Sequence, residues 1–133
     1  MTSLYVDTSA LIKTYVAEEF SNECKRIIAG YKILIISQIG VTEVLINLRK
    51  RLSIREFAIA SKLFEVDIAA FSIIDFDEQI SYSAVDISES TNLATLDAIQ
   101  LASALSLGTT EIDFLTYDTV QRKAAKSLGL RTP

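Results

Sequence analysis

Leu4-Tyr5-Val6-Asp7-Thr8-Ser9-Ala10-Leu11 sets an aspartate directly after a short apolar run and directly before a helical start. Near the other end of the chain, Phe114-Leu115-Thr116-Tyr117-Asp118 repeats the arrangement. Four runs have this strand character: Ser3–Val6, Ile33–Ser37, Phe71–Ile74 and Phe114–Tyr117. Each is uninterrupted rather than alternating, as expected for strands covered on both faces. Helical patterns fill the intervals: Ser9–Tyr15, Asn22–Ala29, Gln38–Leu52, a segment from the N-cap Ser53 to about Val66, Asp77–Ser90, Leu96–Leu107 and Thr119–Leu128. Ser53 with Glu56 three residues on forms a capping-box pattern, and Gly108 and Gly129 fall where helices would stop. Strand and helix in alternation predict an α/β sandwich around a parallel sheet. In such sheets functional groups gather beyond the carboxyl ends of the strands, near the point where strand order reverses.

The 133 residues fit one domain, 1–133, without repeats, linkers or low-complexity segments. Half of them are hydrophobic, so part of the apolar surface is expected in a subunit or partner interface. Cys24 is the single cysteine, which excludes an intramolecular disulfide and points to a reducing compartment. Met1–Asp7 lacks a basic region followed by an apolar segment, and no run reaches the roughly 18 residues of a membrane span. A cytoplasmic protein without membrane attachment is the expectation.

There is no histidine. Imidazole acid–base chemistry, Ser-His-Asp triads and His-ligated zinc are excluded together. With one cysteine as well, any bound metal must be a hard, oxygen-liganded cation such as Mg²⁺ or Mn²⁺. The net charge of −4 hides an uneven distribution: between Lys62 and Arg122 there is no basic residue but eleven acids, Glu65 to Asp118. Most of these read as solvated surface. Any that converge in a cleft have no nearby cation in sequence to pair with.

Four carboxylates stand out. Taken alone, Asp7 reads better as a helix N-cap, although it also sits where ligand sites form. Glu43 falls off the Val41, Val44, Leu45, Leu48 stripe of its helix, so by itself it reads as a surface glutamate near the same rim. Asp97 is different. Its setting, Leu93-Ala94-Thr95-Leu96-Asp97-Ala98-Ile99-Gln100-Leu101-Ala102-Ser103-Ala104-Leu105, is apolar on nearly every face and has no Lys or Arg. The helix dipole offers about 0.3–1 kcal/mol there, short of the several kcal/mol needed to bury an unpaired charge. A functional reading therefore wins for Asp97. Asp118 alone is a fair N-cap, but two strands ending alike weakens that reading. Carboxylates gathered on one rim cannot all ionise without a cation. A divalent ion resolves the conflict and lowers the pKa of water for attack on phosphate.

These residues carry a resemblance. Leu4–Lys13, Thr42-Glu43-Val44, Leu96–Ala102 and Phe114–Asp118 resemble the ordered motifs of PIN-domain nucleases, and more narrowly the VapC-like toxins of toxin–antitoxin modules. The likeness spans Leu4 to about Leu130. It implies a three-layer α/β/α sandwich with a central, mainly parallel sheet of four to five strands. It also implies Mg²⁺- or Mn²⁺-dependent cleavage of RNA, a homodimer, and a cognate antitoxin reaching into the acidic groove. Asp7, Glu43, Asp97 and Asp118 match the family's acids, and Ser9 and Thr116 its supporting hydroxyl residues. Gln100 departs from it, standing where many relatives carry His. For RNA contact, Arg49, Lys50, Arg51 and Arg55 are the leading candidates, followed by Arg122, Lys123 and Lys126. A C-terminal helix charge explains them equally well. The alternatives are a catalytically inactive PIN-like module that binds RNA or protein, and a receiver-like signalling domain. The latter is disfavoured by the single acid after the first strand and by the lack of lysine between Lys62 and Lys123.

Overall fold

In a computed structural model that describes residues 2–133, β1 (Ser3–Val6) runs through the middle of a four-stranded, fully parallel sheet of order β3-β2-β1-β4. Met1, where the one-domain span and the N-terminal reading begin, lies outside the described residues. The other strands are β2 (Leu34–Ser37), β3 (Ser72–Ile74) and β4 (Ile112–Leu115). Around them, among the described residues, lie α1 (Thr8–Leu11), α2 (Ser21–Ala29), α3 (Gln38–Arg51), α4 (Ile54–Ile68), α5 (Glu78–Thr91), α6 (Thr95–Leu105) and α7 (Thr119–Ser127).

The continuous apolar runs feed two cores because successive side chains leave opposite faces of a strand. Tyr5, Ile35, Ile112 and Phe114 pack with residues of α5, α6 and α7. Leu4, Val6, Ile36 and Leu115 pack with α1, α2, α3 and α4 around Leu48 and Phe64. The predicted layers are therefore present, with four strands.

Four expectations shift in detail. The first helix is shorter than Ser9–Tyr15: one α-turn, α1, passes into a 3-10 turn at Ile12–Thr14. The last strand ends at Leu115, not Tyr117, because its partner β1 leaves the sheet after Val6; the final ladder bond runs from Asp7 N–H to Leu115 O at 2.9 Å. That strand is also not purely apolar. Asp113 sits inside it, buried, and accepts from Tyr31 Oη at 2.6 Å and Arg131 Nε at 2.8 Å. The edge strand β3 is covered only in part, with Ser72 and Ile73 exposed.

The joints follow local chemistry. Ser53 Oγ accepts from Glu56 N–H at 3.1 Å and Glu56 Oε1 accepts from Ser53 N–H at 2.9 Å, the complete capping box. Ser53→Ala is expected to lower stability by about 1 kcal/mol, read from the midpoint of urea unfolding.

The strand order reverses beside β1. Chain order moves outward from β1 to β2 to β3, then returns to its other side as β4. The crevice beyond the carboxyl ends of β1 and β4 is thus the switch point, and Asp7 and Thr116 are the first residues past those two ends.

Candidate active site

Asp7 occupies the N-cap position of α1 but does not cap it: its side chain makes no bond to the helix amides. Instead Oδ2 accepts from Ser9 Oγ at 2.8 Å and from Thr116 Oγ1 at 2.9 Å. The residue is 3% exposed. Burial pushes its carboxyl up to about 6; the two hydroxyls pull it down, and the charges of Asp97 and Glu43 push it up further. Ser9 and Thr116, the hydroxyl residues named with the motif, thus both bond the same oxygen of Asp7. Their hydroxyls lie 3.1 Å apart, and each also accepts a backbone N–H, from Tyr117 at 3.0 Å and Asp118 at 3.2 Å.

Glu43 stands in the second turn of α3, which starts at the carboxyl end of β2. Its Oε1 accepts from Thr8 Oγ1 at 2.7 Å and from Gln100 Nε2 at 3.1 Å. It is a held glutamate rather than a free surface one. Asp97, in the first turn of α6, is half-buried. Burial raises its pKa, and Asp118 and Glu43 raise it further. The ion pairs among the described residues are Lys13–Glu18, Arg51–Glu18 and Arg131–Asp113, and none includes these acids. Asp118 is the exposed member and does cap its helix: Oδ1 accepts from Val120 N–H at 2.9 Å and Gln121 N–H at 3.0 Å. The capping explanation, rejected by the geometry at Asp7, holds at Asp118.

All four acids thus lie within electrostatic reach of at least one other at the switch point. They are not a closed cage. Among the described residues, no three of His, Cys, Asp or Glu are gathered tightly enough to enclose an ion. The basic residues are more scattered. Lys50 shares with Glu43 a groove of about 650 Å³ that also reaches Phe76 and Leu96. Arg51 is tied to Glu18 at 2.5 Å, Arg49 lies over the Phe57 ring at 5.5 Å, and Arg55 is exposed near the start of α4. Arg122 is turned inward, donating to Thr116 O at 2.8 Å, while Lys123 and Lys126 are exposed.

Sequence reasoning missed what holds Glu43. Gln100 is fully buried; its Oε1 accepts from Tyr5 Oη at 2.5 Å, and its Nε2 donates to Thr8 Oγ1 at 2.7 Å and to Glu43. Tyr5 in turn accepts from Ser37 N–H at 3.1 Å. Burial keeps the Tyr5 phenol well above its usual pKa and so neutral, a donor that fixes which end of the Gln100 amide faces Glu43. Gly40 makes room: a Cβ there would lie 2.8 Å from Ile36 Cγ1 and 3.0 Å from Gln100 Nε2. The available signal was a lone amide within the apolar Leu96–Leu105 segment, since buried amides are hydrogen-bonded.

A family model described as PIN domain matches residues 4–127. Ribonuclease VapC46 of Mycobacterium tuberculosis is 30% identical over 130 residues, 98% of this chain and 95% of that protein. Among solved structures, FitAcB from Neisseria gonorrhoeae superposes with a TM-score of 0.77 at 16% identity, covering 97% of this chain and 95% of that one. VapC20 of Mycobacterium tuberculosis, described as a sarcin-ricin loop cleaving toxin, gives 0.75 at 16% identity over 91% and 94%. A toxin–antitoxin complex from Klebsiella pneumoniae gives 0.72 at 22% identity over 91% and 90%. At such identities the structures speak to the fold, while the domain model and the curated relative cover nearly the whole sequence. With the carboxylates at the switch point of a parallel sheet, they place this chain in the PIN-domain family.

Proposed function

We propose that the chain is a divalent-metal-dependent ribonuclease and the toxin component of a toxin–antitoxin pair. The observation that carries this is Asp7: a buried carboxylate beside Asp97 and Glu43, with no cationic side chain bonded to any of them among the described residues. A pocket of this kind is built for a cation from outside the chain. The near full-length likeness to Ribonuclease VapC46 supports RNA as the substrate. The superposition on toxin–antitoxin assemblies supports a cognate antitoxin as partner.

The donor set is all oxygen, which suits Mg²⁺ or Mn²⁺. Asp7, Glu43 and Asp97 would supply carboxylate oxygens to the ion from an open cluster that does not enclose it by itself, with Asp118 contributing from the rim. When bound, it supplies a lowered water pKa and stabilises charge on the phosphate and leaving oxygen. The chain's own part is positioning. Ser9 and Thr116 fix one oxygen of Asp7, and among the described residues the other takes no protein hydrogen bond. Thr8 and Gln100 likewise both bond Oε1 of Glu43. Each carboxylate is thus oriented through one atom with the second left for the ion.

Apolar residues on the outer face of α4, namely Ile54, Ile59, Leu63 and Val66, are exposed. They favour a covering partner, a second copy or the antitoxin. No helix is long and apolar enough to cross a membrane among the described residues.

The purified chain is expected to cut RNA in Mg²⁺ or Mn²⁺ and to stop in EDTA, followed on a denaturing gel. Asp97→Asn is expected to abolish cleavage with the circular dichroism spectrum unchanged. Equal cutting by wild type and variant, or cutting that survives EDTA, overturns the assignment.

A further inference from the structure

We propose that Phe20, stacked on Tyr117, forms a platform for an unpaired base of the RNA strand; this rests on the ribonuclease reading and adds a substrate contact to it. Phe20 breaks two local rules at once. Its backbone is left-handed, φ 66°, a region that is unfavourable for a bulky side chain and suits glycine. It also holds the N-cap position of α2, where Ser, Thr, Asp or Asn would bond the first helix amides and phenylalanine cannot. The ring is not redeemed by burial, because the residue is 51% exposed. A costly aromatic kept at the surface invites a role outside folding.

Its neighbours say which role. Phe20 stacks on Tyr117, with centroids 5.7 Å apart and planes at 19°. The Lys13 ammonium lies 5.1 Å from the Tyr117 centroid and 6.0 Å from that of Phe20, and the Arg122 guanidinium is 5.9 Å from Tyr117. Tyr117 is fixed at both ends, by Oη donating to Glu23 at 2.9 Å and N–H donating to Ser9 Oγ at 3.0 Å. Ser9 is the hydroxyl that also holds Asp7. Tyr117 thus stands in sequence between Thr116, which bonds Asp7, and Asp118, and its backbone is tied to the hydroxyl that holds Asp7. Lys13 is committed to Glu18 and Glu19 O, and Arg122 to Thr116 O, so these cations brace the rings rather than stand free for phosphate. A flat, half-open aromatic stack beside the proposed phosphodiester site fits a single-stranded nucleic acid through its bases, whose free faces stack on such rings. A paired base, already stacked within a duplex, offers no free face to the ring.

The test compares Phe20→Gly, which relieves the backbone and removes the ring, with Phe20→Trp, which keeps a ring. Binding of a short fluorescein-labelled single-stranded RNA is followed by anisotropy in EDTA, with the same RNA annealed to its complement as control. Cleavage in Mn²⁺ and thermal unfolding are measured in parallel. Phe20→Gly is expected to weaken single-strand binding about tenfold, the range of one lost base stack. Duplex binding and kcat should be unaffected, KM should rise, and Tm should hold or increase. Phe20→Trp is expected to retain most of the affinity. Phe20→Gly protein that binds and cuts the single strand as wild type does overturns the platform alone, as does an equal loss on duplex. A lower Tm with unchanged RNA affinity would give Phe20 a purely structural role and overturn it too. Wild-type protein that neither binds nor cuts RNA overturns the platform and the ribonuclease assignment together.

Discussion

Asp7→Asn is expected to reduce RNA cleavage by on the order of 10³-fold or more and, in metal-free buffer at neutral pH, to make the protein more stable. The second effect follows from the sign of the pKa shift. Asp7 is raised from 3.8 to about 6, chiefly by burial. Between those values the folded state holds a proton that the unfolded chain has released. Asp7 therefore contributes stability at low pH that is lost as pH rises through that window. At neutral pH the ionised side chain opposes folding by up to about 3 kcal/mol, taking about 1.4 kcal/mol per pH unit. Asparagine removes the charge and can still accept from Ser9 and Thr116. A gain of about 1–3 kcal/mol is expected at neutral pH, shrinking towards zero near pH 4. Added Mn²⁺ should reverse the ranking, raising the Tm of wild type above pH 6 while leaving that of the variant unmoved. Thermal melts of both proteins across pH 4–8, with and without Mn²⁺, check all of this. A variant that is less stable than wild type at neutral pH, or one that still responds to Mn²⁺ as wild type does, would remove Asp7 from the proposed centre.

That same tension explains why much of the candidate site was legible in the sequence. A carboxylate directly after an apolar parallel strand, and another in a helix start with no basic neighbour, conflict with local folding rules, and such conflicts mark functional positions. Asp97 carried the strongest conflict, and it remains without an ion-pair partner among the described residues. Asp7 and Asp118 looked identical, each following an apolar run. Only tertiary structure separates them, because a side chain that can cap its helix will do so unless hydroxyls from elsewhere compete. Thr116, 109 residues away in sequence, competes for Asp7. The strand layout was equally readable, since a parallel strand covered on both faces must be apolar throughout. Its exception, Asp113, depends on Tyr31 and Arg131 arriving from distant segments. No periodicity encodes that meeting. Phe20 was passed over for a related reason: the sequence gives no sign of a positive φ at a residue that normally avoids it.

Gln100→Leu is expected to lower stability by about 2–4 kcal/mol and cleavage by about 10–100-fold, although Gln100 would touch neither metal nor substrate. The substitution keeps the volume and removes every polar atom. Tyr5 Oη loses its acceptor, and Thr8 and Glu43 lose a donor, all in or beside the core. Glu43 would then be held through Thr8 alone. A positioning role differs from simple packing in what rescues it. Gln100→His in its neutral form offers one acceptor to Tyr5 and one donor towards Thr8 and Glu43, so it should recover most of the lost stability and activity. Gly40→Ala tests the same contact from the other side without altering a polar group. The added methyl meets Ile36 Cγ1 at 2.8 Å and Gln100 Nε2 at 3.0 Å. Either Ile36 or the amide must give way, at about 1–3 kcal/mol. Displacement of the amide predicts that cleavage falls with stability, and that kcat bears the loss because Glu43 is misaligned rather than removed. Unchanged kcat in both Gln100→Leu and Gly40→Ala would show that Glu43 finds its working position without the network, and would reduce Gln100 to a satisfied core amide.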